Sequence, residues 1–254
     1  MDGSLMPSQV IQRDVPAEMA DRLIVALDVT SPTEATELVA QLDGIVSFFK
    51  IGMGLFVAEG TEGVINLLRN ERKDIFLDYK MYDIPATVSR GVAQALDRGI
   101  KFITVHGDRE IMKYAVEAKG DTDFLKIFGI TVLTSLDDDD LAEMGYALTV
   151  PELIKLRVKN ALECGVDGII ASADDSPDEI RQYFDRPGLL IATPGIRSPG
   201  DALGGQKRVA SPADAIRRGA DYLVIGRPII EAADPAKAAL AIIEDMKRGQ
   251  QSRA

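Results

Sequence analysis

Eight short apolar runs recur along the chain, and segments of helical period lie between them. The runs cover residues 22–28, 46–52, 74–80, 101–106, 125–133, 167–172, 188–195 and 221–228. Continuous apolar runs without strict alternation are typical of strands that are buried on both faces of a parallel sheet. A strand followed by a helix, repeated about eight times, predicts an α/β protein with a single-domain (β/α)8 (TIM) barrel.

The segments between the runs carry helix signals. Residues 31–42 begin with Ser and Pro and place their apolar residues on one helical face, and residues 86–99 have the same period. In residues 211–220, Ser211 is predicted to cap a helix and Gly219 to end it. A doubly wound sheet is the less favoured alternative, because no glycine fingerprint follows the first apolar run.

Two segments are predicted along the chain. Residues 1–20 are predicted to form a polar N-terminal extension, with disorder as one interpretation, and residues 21–254 to form the barrel domain. No linker divides the barrel domain. The four consecutive aspartates at 137–140 are predicted to lie in a solvated loop that starts a helix, because their spacing does not match an EF-hand calcium loop.

The amino-acid composition argues against several kinds of binding partner. A net charge of -11 argues against nucleic acid as a partner, because binding to duplexes relies on clustered Lys and Arg. One cysteine, Cys164, and one histidine, His106, leave little for a zinc site, so no metal is implied. No membrane span and no signal peptide are apparent, and we expect a soluble, cytoplasmic protein.

Polar residues collect at the carboxyl ends of the predicted strands, the end at which (β/α)8 barrels carry their active sites. They are Asp28, Lys50, Asp78 with Lys80, His106, Thr134, Pro194 with Gly195, and Gly226 with Arg227. Charges at the ends of three successive strands are the strongest sign of a functional site in this sequence.

The third apolar run ends in two charges of opposite sign. Residues two apart on a strand project to the same side, so Asp78 and Lys80 are expected to form a pair, and Lys50 on the neighbouring strand can reach it. Such a pair is also compatible with a purely structural salt bridge that closes the barrel mouth. The pattern of charges leaves both interpretations open.

A long loop follows the seventh predicted strand. Residues 193–212 are rich in Gly and Pro and carry four basic or amide side chains: Arg197, Gln206, Lys207 and Arg208. A loop of this length is either a functional lid or a disordered excursion, and a lid that closes on an anion beside Arg227 is favoured.

The segment "DYKMYDIPATV" (78–88) resembles the Asp-x-Lys-x-x-Asp-Ile-Pro-x-Thr-Val signature of the orotidine 5'-phosphate decarboxylase family. The segments "LIVALDV", "FKIGMGLF", "VHG", "TVLTS", "TPGIR", "GGQKR" and "IGRPI" occur in the order found in that family. The resemblance therefore extends over nearly the whole chain after the extension. It implies conversion of orotidine 5'-monophosphate (OMP) to uridine 5'-monophosphate (UMP) without a cofactor.

The resemblance also implies catalytic roles. Lys80 would protonate C6 of the pyrimidine, Asp78 would lie against the substrate carboxylate, and Lys50 with Asp28 would hold the ribose hydroxyls and orient Asp78. Asp83 and Thr87 would reach into the site of a neighbouring subunit. A homodimer with shared active sites follows from the last assignment.

Further residues would bind substrate. Thr134 would contact the pyrimidine, with Ser135 as the alternative if the alignment slips by one residue, and Pro194 would pack near the base. The phosphate would be bound by Gln206, Gly226 and Arg227, with Arg197 as a helper. Met81 and Tyr82 depart from the phenylalanine and histidine that many members carry, but neither position has a chemical role.

Two rival functions remain compatible with the sequence. One is a phosphosugar decarboxylase or aldolase of the same superfamily, which usually needs a magnesium ion bound by an acidic residue. The other is a catalytically silent barrel that only binds phosphorylated ligands. The complete set of Asp and Lys residues argues against the silent barrel. The continuation with Ile84, Pro85 and Thr87, together with the long seventh loop, points to the orotidylate branch of the superfamily.

Overall fold

Eight parallel strands close into a barrel in sequence order, and the last strand pairs with the first. The computed structural model describes residues 13–197 and 208–253. The strands are β1 (Leu23–Leu27), β2 (Phe48–Gly52), β3 (Asp74–Met81), β4 (Phe102–Val105), β5 (Lys126–Ile130), β6 (Gly168–Ile170), β7 (Leu190–Thr193) and β8 (Tyr222–Ile225). Each of the eight apolar runs corresponds to one strand, with β3 extending one residue beyond its run, so the predicted (β/α)8 fold is confirmed.

Helices surround the barrel. Within the described ranges they are α1 (Pro32–Gln41), α2 (Met53–Phe56), α3 (Thr61–Asn70), α4 (Pro85–Asp97), α5 (Arg109–Lys119), α6 (Asp138–Glu143), α7 (Val150–Cys164), α8 (Pro177–Phe184), α9 (Pro212–Arg217), α10 (Arg227–Ile230) and α11 (Pro235–Gln251). Two short 3-10 helices occur at Ala20–Arg22 and Ala173–Asp175. None of these helices is long and apolar enough to cross a lipid bilayer.

Local signals in the sequence set several helix ends. The hydroxyl of Ser211 accepts a hydrogen bond from the backbone N–H of Asp214 at 3.1 Å, which is the predicted cap of α9. Gly219 follows that helix with φ of 101°, a backbone conformation that favours glycine. Asp137 and Asp140 form a capping box at the start of α6, so the aspartate run is a helix start as predicted.

Aromatic side chains fill the lower part of the barrel interior. Phe48, Phe102 and Tyr222 meet edge to face with ring centroids 4.9–6.1 Å apart, a favourable geometry for aromatic pairs. Phe76 and Phe128 complete this aromatic floor, and all five side chains are buried. A second and larger apolar core lies between the outer face of the strands and the helices.

The strand period of two places a second set of side chains directly above the aromatic floor. On β2, β3 and β4, the residue two positions after the floor phenylalanine is polar: Lys50, Asp78 and Thr104. On β5, β6 and β8 the corresponding residues are apolar: Ile130, Ile170 and Val224. The barrel mouth therefore has a charged half on β2–β4 and an apolar half on β5, β6 and β8.

A buried ionic network ties the opposite end of the barrel together. Asp221, which is 2% exposed, pairs with Arg181 and accepts a hydrogen bond from the backbone N–H of Ile191 at 2.8 Å. Arg22 donates to the carbonyl of Asp221 at 2.7 Å. The described part of the predicted extension joins this network, because Arg13 lies 3.2 Å from the carboxylate of Asp221.

Candidate active site

A cavity of about 490 Å³ opens at the carboxyl ends of the strands. Nine of the predicted site residues line it: Asp28, Lys50, Asp78, Lys80, Thr134, Pro194, Arg197, Gly226 and Arg227. Two others, Asp83 and Thr87, are not among the residues that line it. Gln206 lies outside the described residues.

Four charged groups form a chain across the charged half of the mouth. The Lys50 ammonium lies 2.7 Å from Asp28 Oδ1 and 3.5 Å from Asp78 Oδ2. The Lys80 ammonium lies 2.9 Å from Asp78 Oδ1. Positive and negative charges therefore alternate from Asp28 to Lys80, and each buried charge has a partner, as burial of an ion requires.

Asp78 is the more enclosed of the two carboxylates among these four charged groups, with 15% of its side chain exposed against 52% for Asp28. Burial by itself raises the pKa of the Asp78 carboxyl. The nearby ammonium groups of Lys50 and Lys80, with hydrogen bonds from Lys80 and Thr104, more than offset that effect and hold the pKa below its ordinary value of 3.8. Asp78 is therefore ionised at neutral pH.

The backbone of Lys80 departs from a regular strand. Its φ is 51°, in the left-handed region that side chains other than glycine rarely adopt. Leu77 of β3 pairs with Ile103 of β4, but the next pair is Met81 with Val105. β3 therefore advances four residues where β4 advances two. A strained residue of this kind typically costs about 1–3 kcal/mol, and such residues cluster at functional sites. Simple alternation therefore does not by itself explain why Lys80 meets Asp78.

Two neighbours of the charged chain were absent from the sequence-based predictions. Thr104 contacts both Asp78 and Lys80. The sequence could have indicated this position, because Thr104 comes two residues after Phe102, as Lys50 comes two residues after Phe48. Gly52 leaves room for the first ion pair, because a Cβ there would lie 3.1 Å from both Asp28 Oδ1 and Lys50 Nζ.

The loop after β5 contributes two polar residues to the cavity lining. Thr134 is buried in the wall of the cavity, whereas the neighbouring Ser135 is exposed, and both line the cavity. The sequence placed Thr134 at the end of the fifth strand. That placement is wrong, because β5 ends at Ile130 and Thr134 lies in the loop that follows.

An ion pair that sequence reasoning missed connects three loops at the mouth. The guanidinium of Arg208, after β7, pairs with Asp175, after β6, and their side chains are 15% and 8% exposed. Arg208 also donates to the carbonyls of Val132 and Leu133 at 3.0 and 3.3 Å. No local signal could reveal this pair, because its partners are separated by 33 to 76 residues in the sequence. Arg208 thus fixes the backbone just before Thr134.

The histidine is not part of the cavity lining among the described residues. His106 follows β4, its ring lies 4.5 Å from the ring of Tyr82, and its Nδ1 lies 3.5 Å from Asp108. Burial and the nearby Arg157 lower the pKa of His106 below 6.5, so the imidazole is neutral at neutral pH. These contacts suit a structural role for His106.

The segment between β3 and α4 lies outside the cavity lining. Asp83 is exposed, and its carboxylate accepts a hydrogen bond from the backbone N–H of Ile84 at 2.7 Å. Two exposed apolar side chains flank it, since Tyr82 is 68% and Ile84 66% exposed. Thr87 lies in the first turn of α4, where its hydroxyl accepts from Arg90 at 3.3 Å.

The sequence of this chain is similar to those of a known enzyme family. Residues 21–242 match the family described as orotidine 5'-phosphate decarboxylase / HUMPS. An orotidine 5'-phosphate decarboxylase of Nitrobacter winogradskyi is 50% identical over 226 residues, which are 89% of this chain and 92% of that relative. One of Caulobacter vibrioides is 46% identical over 227 residues, 89% of this chain and 97% of the relative.

Solved structures give the same result. The crystal structure of orotidine 5'-phosphate decarboxylase from Lactobacillus acidophilus superposes with a TM-score of 0.77 and 33% identity, covering 89% of this chain and 99% of that chain. The crystal structure of an uncharacterized conserved protein from Geobacillus kaustophilus gives a TM-score of 0.75 at 27% identity, covering 88% and 99%. The first of these structures carries the same enzyme name as the two sequence relatives.

Proposed function

The chain belongs to the orotidine 5'-phosphate decarboxylase / HUMPS family and is a carboxy-lyase, and we propose on this premise that it converts OMP to UMP and carbon dioxide without a cofactor. This reaction is the last step of de novo UMP synthesis, and we propose that it takes place in the cytoplasm. One observation carries the proposal: an ionised carboxylate, Asp78, is held between two ammonium groups at the bottom of the cavity.

The proposed chemistry uses the Lys80 ammonium twice. The bond from C6 to the carboxylate carbon breaks, its electron pair stays on C6, and carbon dioxide leaves. The positive charge of Lys80 stabilises the developing carbanion, an effect that is larger where water is excluded. A proton then moves from Nζ of Lys80 to C6, and the neutral amine regains a proton from water.

Asp78 has two roles in this proposal. Its negative charge lies beside the substrate carboxylate, which is neutral once it has left as carbon dioxide, so repulsion between the two groups is relieved as the bond breaks. Its contact with Lys80 at 2.9 Å also fixes the ammonium before substrate arrives. Preorganisation of this kind removes a reorganisation cost from the reaction step.

The remaining lining residues are assigned to parts of the substrate. Asp28 and Lys50 hold the ribose hydroxyls, and Thr134 with Pro194 contacts the base. Phosphate binds at the end of β8, where the backbone of Gly226 allows close approach. The other phosphate ligands are the side chains of Arg227, Arg197 and Gln206. Binding energy from the phosphate, remote from C6, assists the chemical step as well as affinity.

We further propose a homodimer in which Asp83 and Thr87 complete the site of the partner subunit. Both residues lie outside the cavity lining of their own chain, and the exposed side chains of Tyr82 and Ile84 beside Asp83 supply apolar surface for an interface. In a two-fold dimer, each subunit would donate this segment to the other.

The magnesium-dependent phosphosugar enzymes of the superfamily remain the main rival. The space between Asp28 and Asp78 is where a cation would be expected, and the ammonium of Lys50 occupies it at 2.7 and 3.5 Å. Among the described residues, no group of three or more acidic, His or Cys side chains forms a metal site. The decarboxylase is favoured because a protein cation already neutralises the two carboxylates.

The decisive experiment follows the loss of OMP absorbance with purified protein in excess chelator, beside the Lys80→Ala variant. We expect rapid formation of UMP by the wild type, and loss of turnover with retained UMP binding in the variant. Absence of conversion by folded wild-type protein would refute the proposal, and phosphosugar substrates with magnesium would be tested next. Binding of phosphorylated ligands without turnover of either substrate class would support a silent barrel.

A further inference from the structure

The hydroxyl of Thr104 contacts both members of the central ion pair. Thr104 lies on β4 and is completely buried. Its Oγ1 donates a hydrogen bond to Asp78 Oδ1 at 2.9 Å and accepts one from the backbone N–H of Lys80 at 2.9 Å. An ionised carboxylate can only accept and an N–H can only donate, so both bonds have a fixed direction.

These two bonds replace part of the regular ladder between β3 and β4. The register pairs Leu77 with Ile103 and Met81 with Val105, and the intervening residues of β3 bulge. Within this bulge the N–H of Lys80 has a side-chain acceptor in place of a backbone carbonyl of β4. Thr104 therefore compensates for the interruption at the residue whose φ is 51°.

We propose that Thr104 is a positioning residue that sets the placement of the Lys80 ammonium relative to the Asp78 carboxylate. The inference rests on the proposed function, in which these two groups act on C6 and on the substrate carboxylate. Thr104 does not line the cavity, so its effect reaches the substrate through Asp78 and Lys80. A residue that acts in this way should change kcat more than the affinity for nucleotide.

The barrel contains a matched comparison for Thr104. Thr193 on β7 is also completely buried, and its hydroxyl has no hydrogen-bond partner among the described residues. Replacement of either threonine by valine removes a buried hydroxyl at nearly constant shape. Thr193→Val therefore controls for the change in polarity and packing inside the barrel.

The experiment measures kcat and KM for OMP, and the Kd for UMP, in four variants. Thr104→Val and Thr104→Ala remove both hydrogen bonds, Thr104→Ser keeps them, and Thr193→Val is the control. We expect kcat to fall about 10- to 100-fold in the two hydroxyl-free variants, the range for lost hydrogen bonds to charged groups. KM and the Kd for UMP should change less than about threefold, and Thr104→Ser should retain most of the wild-type kcat.

Each outcome decides the inference. A kcat within about threefold of wild type in Thr104→Val or Thr104→Ala would overturn it, as would equal losses in the serine and alanine variants. If the valine variant fails to fold, the comparison of alanine with serine still separates the hydroxyl from packing. A folded wild type that does not convert OMP would refute the proposed function and this inference together, whereas normal wild-type turnover with an unaffected alanine variant would refute only the role of Thr104.

Discussion

The ammonium of Lys80 lies 2.9 Å from the carboxylate of Asp78, although the backbone of the lysine is in the left-handed conformation. The pair is partly open to the cavity, since 43% of the Lys80 side chain is exposed against 15% for Asp78. The carboxylate is thus fixed within the wall, while the ammonium faces the space that a substrate would enter.

Asp78 should make stability depend on pH in the acid range. Its pKa in the folded protein is below 3.8, so its ionised form contributes stability above that value, and the contribution is lost as pH falls through the folded pKa. Relative to Asp78→Asn, the free energy of unfolding of the wild type should therefore rise with pH and level off above about pH 5. Urea unfolding of both proteins between about pH 2.5 and 6 measures this difference, and a pH-independent difference would contradict the prediction.

Shared active sites predict complementation between inactive subunits. Lys80→Ala removes the proton donor from a subunit's own site, whereas Asp83→Ala removes the residue donated to the partner. A hybrid dimer of the two variants contains one site with both residues intact, so mixing should restore up to about a quarter of wild-type activity if subunits pair at random. Turnover is measured after subunit exchange has been verified with differently tagged chains. Mixing two tagged forms of Lys80→Ala should restore nothing, and equal inactivity of both mixtures would argue against shared sites.

The ion pair of Arg208 with Asp175 should stabilise both the fold and the substrate site. Arg208→Ala leaves the largely buried Asp175 without its partner, and we expect the free energy of unfolding to fall by about 3 kcal/mol. The carbonyls of Val132 and Leu133 also lose a donor, so the loop that carries Thr134 should shift and KM for OMP should rise about tenfold. Chemical denaturation and steady-state kinetics measure the two effects.

A second variant tests whether this effect belongs to the pair. Asp175→Asn combined with Arg208→Ala removes both charges, and it should be less destabilised than the sum of Asp175→Asn and Arg208→Ala because no buried charge is left alone. Additive losses would show that the two residues act independently.

The network at the opposite end of the barrel should affect stability without affecting catalysis. Asp221→Ala removes one of the two carboxylates that pair with the buried Arg181, with Asp178 remaining at 3.1 Å, and it leaves the backbone N–H of Ile191 without its acceptor. A loss of about 3 kcal/mol in the free energy of unfolding is expected. At a temperature where the variant remains folded, kcat should stay within about twofold of wild type, since this end of a barrel carries stability and not chemistry. Glu244→Ala, which breaks the exposed pair with Lys247 on α11, should have little effect on stability. A large fall in kcat for folded Asp221→Ala would contradict this division.

The barrel could be predicted from the sequence because each strand has a local pattern that identifies it, although the strands pair with one another over long distances in the sequence. Each is an apolar run between helix signals, and burial on both faces demands that composition. The same reasoning brought Lys50, Asp78 and Lys80 together, since neighbouring strands of a barrel place equivalent ends side by side. The end of the fifth run was misjudged because residues 131–134 are apolar or small enough to read as strand while lying in a loop.

Other features depend on contacts that no local pattern encodes. The left-handed φ of Lys80 exists because β3 bulges against β4, and Thr104 is the partner that accommodates the bulge. Arg208 meets Asp175 across 33 residues of sequence. The spacing of two residues between Phe102 and Thr104 gave a weak indication in the sequence that Thr104 lies beside the site. The sequence gives no comparable indication for the pair of Arg208 and Asp175.

The aromatic floor has a consequence for the order in which products depart. Phe48, Phe76, Phe102, Phe128 and Tyr222 fill the barrel interior beneath Lys50 and Asp78, so within the described ranges the packed interior blocks an exit through the barrel. In the proposed reaction, carbon dioxide released at C6 would therefore leave on the side from which the nucleotide enters. A carbon dioxide molecule that remained beneath bound UMP would be positioned for the reverse reaction.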